Sequence, residues 1–416
     1  MNETQQPQWS RRDFGKAAAA AGFAVLSARE GTAQTNEDTI TIGLIGCGGR
    51  GTGAVRNCLE GNDNVKLVAM ADLFPDHLEN KRRELESNTD PKIGPKVDVT
   101  DEMCFTGWDA YRQLLATDVD LIIHGTPPYC RPEQIYAAVE AGKHIFTEKP
   151  AAVDAPGIRR FMEAARLAEE KGLTIVAGTQ RRHQTSYIET IKQIQDGAIG
   201  DIISGRAYWY GSTPWVRERE AGWDDVEWQI RNWVNLAWCS GDNIVEQHVH
   251  NIDVINWVLG EHPREAVASG GRAWKPEDPK YGDMFDHFAV DFEYGRDQRV
   301  LSMCRHWYES YNFVGEEVFG TAGSSRCRDM ARDDVDPYVQ EHIHCVASIR
   351  NEGPYYNEGI QVAESTLTAI MGRMAAYRGE RVRWNDALED NETLVPADLA
   401  FGDLPVPPVP RPGAPA

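Results

Sequence analysis

Apolar and polar positions follow two rhythms along this chain, and the change falls near Arg182. Before it, apolar runs at Thr39–Ile45, Val65–Ala71, Val119–His124, His144–Thr147 and Leu173–Ala177 have buried-strand character. Helical spacing separates them at Ala54–Leu59, Pro132–Ala141 and Gly157–Glu170. Short strands alternating with helices predict a parallel, doubly wound sheet. The polar stretch 86–106, with its prolines, reads as a loop or insertion. Beyond Arg182, Asp201–Tyr210, Arg264–Trp274, His287–Tyr294 and Arg299–Arg305 alternate as strands with one exposed face, the pattern of an antiparallel sheet. Helices are predicted at Ser186–Gln195, Ile244–Leu259 and Ile360–Tyr377. The proline-dominated end, Pro405–Ala416, predicts an extended arm.

Chemistry enters first at the end of the first strand, in Gly46-Cys47-Gly48-Gly49-Arg50-Gly51. Glycines spaced G-x-G-x-x-G between a strand and a helix let the turn tighten, the backbone approach a pyrophosphate, and the helix close on the strand. The second strand then ends in Asp72, placed to hold a ribose hydroxyl pair and to repel a 2′-phosphate, which favours NAD while leaving NADP possible. The expected fold is therefore an α/β N-terminal Rossmann domain plus an α+β C-terminal domain with an open, mostly antiparallel sheet. The boundaries fall at 38–155 for the nucleotide domain and 156–390 for the substrate and oligomerisation domain, whose first helix and strand are placed to complete the first sheet. Residues 391–416 form the proline-rich arm.

Composition changes this picture little. Apolar residues make up 41% and charged residues 26%, so folded domains are expected. A net charge of −21, with no Lys/Arg cluster, argues against nucleic acid as a partner. No apolar run reaches the ~20 residues of a membrane span. The first 33 residues are set apart, because Ser10-Arg11-Arg12-Asp13-Phe14-Gly15-Lys16 resembles the twin-arginine export signal. That resemblance implies a periplasmic protein exported already folded, with a cofactor inside. The eight cysteines show no C-x-x-C spacing, which suits free thiols formed in a reducing compartment.

Further along, His124-Gly125-Thr126-Pro127-Pro128-Tyr129 follows a strand, and Ala141–Pro150 (AGKHIFTEKP) ends the next one with Glu148, Lys149 and Pro150. Ligands of open α/β sheets sit at these carboxyl ends. The set GCGGRG, TPP and AGKHIFTEKP resembles the Gfo/Idh/MocA family, the glucose–fructose oxidoreductase and inositol dehydrogenase group. The resemblance implies a coenzyme site made by Gly46, Gly48, Gly49, Arg50, Gly51, Asp72, Thr126, Pro127, Glu148 and Lys149. It also implies that Lys149 contacts the substrate hydroxyl and helps its deprotonation.

A second segment, Gly241–Asp253, carries acid, imidazole and acid at Glu246, His250 and Asp253, which share one face of a helix. Imidazole is suited to take an alcohol proton while a carboxylate orients it. The family's pattern is Asp-x-x-x-His-x-x-Asp, so Glu246 is a departure that alters the reach of the first acid. Lys149, His250 and Glu246 are the expected catalytic residues. His248 and His250 diverge on a helix, so no metal is expected, although on a strand they would share a face. Six of the 12 tryptophans lie between 209 and 238, as plates for a sugar ring or as core. Arg181, Asp253 and Trp233 are the expected substrate contacts.

These readings imply a nicotinamide-dependent oxidoreductase acting on a secondary hydroxyl of a sugar or polyol, with its cofactor retained and recycled. The alternative is a redox-neutral, NAD-dependent glycosidase that oxidises the sugar ring transiently. At the level of the family, the open sheet implies a homodimer or homotetramer.

Overall fold

The computed structural model describes residues 38–413; the twin-arginine segment read at 1–33 lies outside them. Near-continuous apolar runs build the first sheet, because helices cover both of its faces. Its strands are β1 (Ile40–Ile45), β2 (Val65–Asp72), β3 (Cys104–Thr106), β4 (Leu121–His124), β5 (His144–Thr147) and β6 (Ile175–Ala177). All pair in parallel, in the order β3-β2-β1-β4-β5-β6. The order reverses between β1 and β4, and the crevice above that point is where such sheets bind ligands. The connecting helices are α1 (Gly49–Gly61), α2 (Pro75–Glu86), α3 (Ala110–Leu115), α4 (Arg131–Glu140) and α5 (Ala155–Lys171).

One detail corrects the sequence reading, and a second agrees with it. The stretch 86–106 holds two short 3-10 turns, Gly94–Lys96 and Asp101–Met103, and ends in an edge strand, where Cys104–Thr106 pairs with Met70–Asp72. Three residues are too few for periodicity to reveal. The first sheet also takes its last strand from Ile175–Ala177, so α5 and β6 complete it beyond residue 155. Helix α5 is marked locally at both ends. Asp154 accepts the Gly157 N–H at 2.9 Å, and Gly172 closes the helix at φ 70°.

The second half contributes α6 (Thr185–Gln195), β7 (Ile202–Gly211), α7 (Asp225–Arg231), α8 (Ala237–Ser240), α9 (Asn243–Glu246) and α10 (Val249–Leu259). There follow β8 (Glu265–Gly271), β9 (His287–Glu293), β10 (Arg299–His306), β11 (Phe313–Gly320), β12 (Ser324–Ser325), α11 (Pro337–Ile349), α12 (Gly359–Arg378), β13 (Val382–Arg383) and α13 (Trp384–Glu389). The sheet runs β12-β11-β7-β10-β9-β8-β13, antiparallel except for the β7–β10 pair. One face, with Phe288, Val290, Phe292 and Val300, is buried in the core; Ile203, Val267, Leu301 and Phe313 remain exposed.

Helix α12 is buried along most of its length and joins the two halves. Its Thr366 accepts the Ala151 N–H at 3.0 Å, and Arg373 donates to the carbonyls of Val153 (2.7 Å) and Gly241 (2.9 Å). These bonds fix the chain just beyond Lys149 and just before Glu246. Helix α11, which periodicity did not reveal, returns to the first domain and packs on α1. Its Val339 lies so close that a Cβ at Gly61 would sit 2.8 Å from it. All eight cysteines are free thiols. No helix among the described residues is long and apolar enough to cross a membrane.

Candidate active site

A cavity of about 520 Å³ opens at the carboxyl end of the first sheet and runs into the second domain. Its floor is the glycine turn. A Cβ on Gly46 would fall 2.7 Å from the Thr126 nitrogen, and one on Gly51 2.2 Å from the Gly46 carbonyl oxygen. Those two glycines therefore bring loop and helix together; Gly51 does so from beneath and does not line the cavity. At Gly48 and Gly49 a Cβ would meet nothing within 4 Å. The N-terminus of α1 has no side-chain cap and opens onto that space. Free N–H groups at a helix start, facing a void with no side chain in it, fit a pyrophosphate.

Asp72 lies at the next strand end. Its carboxylate accepts the N–H groups of Cys47 (2.6 Å) and Phe74 (2.8 Å). Burial raises its pKa, and the bond from Phe74 opposes that shift. Arg131 braces the opposite wall, donating to the Thr126 carbonyl at 2.8 and 3.1 Å and to the Pro150 carbonyl at 2.6 Å. Burial lowers its own pKa to about 10. Thr126 and Pro127 line the cavity on this wall.

Deeper in, Arg50 Nε bonds Glu148 at 2.5 Å and its guanidinium lies over the Tyr338 ring, 4.9 Å from the centroid. Lys149 donates to the carbonyl of Glu246 at 2.6 Å and lies 3.2 Å from its Oε1. His250 lines the same end, stacked on Trp209 with centroids 6.0 Å apart. Burial holds its pKa well below the ordinary value, reinforced by the cations Lys149, Arg181 and Arg50. A buried imidazole kept neutral beside an ammonium group is in the form that can accept a hydrogen bond from a hydroxyl.

Two family models match this chain. The Oxidoreductase family, NAD-binding Rossmann fold (GFO_IDH_MocA) covers residues 40–179, and the GFO/IDH/MocA C-terminal domain covers 187–326. The chain belongs to the Gfo/Idh/MocA family. Its first domain is that family's NAD-binding Rossmann fold. Among its relatives, the 2,7-anhydro-N-acetylneuraminate hydratase of Escherichia coli K12 is 24% identical over 291 residues, 68% of this chain and 66% of that protein. The match thus spans just under two thirds of that relative. Inositol 2-dehydrogenase of Rhizobium meliloti is 24% identical over 340 residues, 80% of this chain and 89% of the relative. The solved scyllo-inositol dehydrogenase of Lactobacillus casei, with bound NAD(H) and scyllo-inositol, superposes with a TM-score of 0.65 at 20% identity, covering 84% of this chain and all of that one. That likeness shows a shared fold.

Within this family frame, four expected site positions need comment. The helix read across Ile244–Leu259 breaks at Gln247 and His248, and His248 turns away to bond Ser302 on β10 at 2.7 Å. Glu246 and His250 therefore stand on separate helices yet both line the cavity. Asp253 does not line it; its carboxylate accepts two bonds from Arg182 at 2.9 Å, one from Ser365 at 2.7 Å and one from Gln361 at 3.1 Å. Arg181 does line it, and pairs with buried Glu316.

Of the tryptophans, Trp209, Trp215 and Trp233 line the cavity, whereas Trp228 and Trp238 are core. Tyr338, on α11, and the aromatic end formed by Phe74 and Trp108 were not foreseen. Phe74 has a sequence signal, two residues after Asp72, but Tyr338 reaches the site only through the packing of α11. Among the described residues, no group of three or more His, Cys, Asp or Glu side chains is placed to hold a metal ion.

Proposed function

We propose that this protein is a nicotinamide-dependent oxidoreductase acting on a secondary hydroxyl of a sugar or polyol. The observation that carries the reading is the convergence of Lys149, Glu246 and neutral His250 at the inner end of a nucleotide cradle. NAD, when bound, supplies the hydride acceptor. Lys149, fixed by Glu246, donates a hydrogen bond to the substrate oxygen and lowers its proton affinity. The proton passes to the imidazole of His250 as the carbon loses its hydride. Trp209, Trp215 and Trp233 offer flat apolar faces to the C–H side of a ring, and Arg181 a donor to its hydroxyls. Relatives named inositol 2-dehydrogenase support a polyol as the substrate class.

The twin-arginine pattern supports a periplasmic protein, where free nicotinamide nucleotide is not expected, so the coenzyme is retained and reoxidised in place by a second substrate, which takes up the hydride. The exposed apolar residues Ile203, Val267, Leu301 and Phe313 support a homodimer or homotetramer formed through the open sheet face. A redox-neutral reaction with transient oxidation is the second reading, favoured by the relative named as a hydratase.

The test is to denature purified protein, assay released NAD(H), and incubate native protein with polyols, free sugars and aryl glycosides. Keto product matched by reduced coenzyme supports the dehydrogenase, while aglycone release without net NADH supports the second reading. Absence of nucleotide, and of affinity for it, would sink both.

A further inference from the structure

Away from Lys149, the cavity ends in aromatic residues, Phe74, Trp108 and Tyr111, with His77 beside them. This is the Asp72 side, where the adenosine of a dinucleotide lies once its pyrophosphate is on α1. Flat apolar walls suit a purine ring. Two of these walls are backed from outside by the end of the same chain. The ring of Phe401 lies 5.1 Å from that of Trp108 and 6.3 Å from that of Phe74.

Between Asp390 and Arg411 the chain has no helix or strand, yet it is pinned at both ends of its course. On the first domain, Asp154 accepts the N–H of Leu394 at 2.9 Å and the hydroxyl of Thr393 at 3.1 Å. On the second, Asp225 accepts the Leu404 N–H at 3.0 Å, the Gly402 carbonyl accepts the Val226 N–H at 3.2 Å, and Gln229 donates to the Leu404 carbonyl. Leu394, Leu399, Leu404 and Val406 pack against a buried cluster that includes Phe74 of the first domain and Ile230 and Trp238 of the second. Arg231 repeats the crossing, bonding Asp76 at 2.8 and 3.0 Å with its guanidinium 3.8 Å from the Phe74 centroid.

We propose that this C-terminal arm, residues 391–411, is the outer wall of the adenosine subsite and retains the coenzyme there, with Phe401 as its contact. The inference rests on the nucleotide reading above and adds to it the element that slows release. A dinucleotide held between two domains leaves only when they part, and parting them peels the arm from one side. Prolines at 396, 405, 407, 408 and 410 restrict the free arm, so docking it loses less conformational freedom than docking a flexible chain.

The experiment compares the full chain, Phe401→Ala, and a chain ending at Asp390, each loaded with NADH and chased with excess NAD while transfer of protein fluorescence to NADH is followed. Nicotinamide mononucleotide, which lacks adenosine, is titrated in parallel. Release is expected to be about fivefold faster for Phe401→Ala and faster still for the truncated chain, with affinity for the mononucleotide unchanged in Phe401→Ala. Release at the wild-type rate from Phe401→Ala overturns the proposal, as does an equal loss of mononucleotide affinity; the point variant decides even if the truncated chain fails to fold. If the full chain binds neither NADH nor AMP, the nucleotide reading falls first and this inference with it.

Discussion

The ammonium of Lys149 donates to the main-chain carbonyl of Glu246 at 2.6 Å and stands 3.2 Å from that residue's carboxylate. The lysine lies two residues beyond β5 of the nucleotide sheet, and the glutamate ends α9 of the second domain. Both side chains are only 10% exposed. The carbonyl fixes where the ammonium sits, and the carboxylate balances its charge. The centre is therefore made at the seam between the domains, and each domain alone carries only part of it.

On the proposed reading, replacing Lys149 with alanine removes the donor to the substrate oxygen without touching the glycine turn. Turnover is expected to fall roughly 10²- to 10⁴-fold, the usual worth of one positioned proton-transfer group, while NAD titration by protein fluorescence stays near wild type. A variant that keeps more than a tenth of the wild-type rate would remove Lys149 from the chemistry.

Gly48 and Gly51 separate binding from folding. A methyl group at Gly48 enters open space, at an ordinary extended backbone angle, so Gly48→Ala should unfold at the wild-type denaturant midpoint yet bind NAD about tenfold more weakly. A methyl group at Gly51 meets the Gly46 carbonyl oxygen at 2.2 Å. Gly51→Ala should lose roughly 1–3 kcal/mol of stability. Equal urea midpoints for the two variants would contradict this assignment.

The same pair of glycines illustrates what the sequence made legible. Strand–glycine–helix order located the cradle, because local spacing alone dictates that turn. The lysine and histidine segments were legible through their motifs. Asp253 shares α10 with His250, but its carboxylate is taken up by Arg182, Ser365 and Gln361, partners that only tertiary packing supplies. Tyr338 and the arm around Phe401 were beyond reach for the same reason, since only tertiary packing brings them to the cavity.

Asp253 offers a test of that correction. Its carboxylate is nearly buried and neutralises Arg182, so Asp253→Ala leaves a guanidinium without its partner. Urea unfolding should show a loss of roughly 3 kcal/mol, with KM for the proposed polyol substrate within about twofold of wild type by the same reasoning. A large rise in KM at unchanged stability would restore the substrate-binding role.

His124, at the carboxyl end of β4, ties acid sensitivity to the floor of the site. It is 1% exposed, 2.8 Å from Gln134 and 3.1 Å from Thr126, and burial lowers its pKa to about 3, with Arg131 adding to the effect. In the unfolded chain the imidazole titrates near 6.5. Between pH about 6.5 and 3 the unfolded state therefore binds a proton that the folded state does not, and stability falls as pH drops. One such group contributes about 1.4 kcal/mol per pH unit. Other buried groups titrate in the same range, so the informative quantity is the difference between wild type and His124→Gln, from urea unfolding at pH 7, 6, 5 and 4. Wild type should lose stability more steeply below pH 6.5, by about that amount per unit, while the two slopes agree above pH 7. Parallel curves through pH 5 would mean that the folded protein carries this histidine charged, and the neutral hydrogen-bonded floor beneath Thr126 would have to be redrawn.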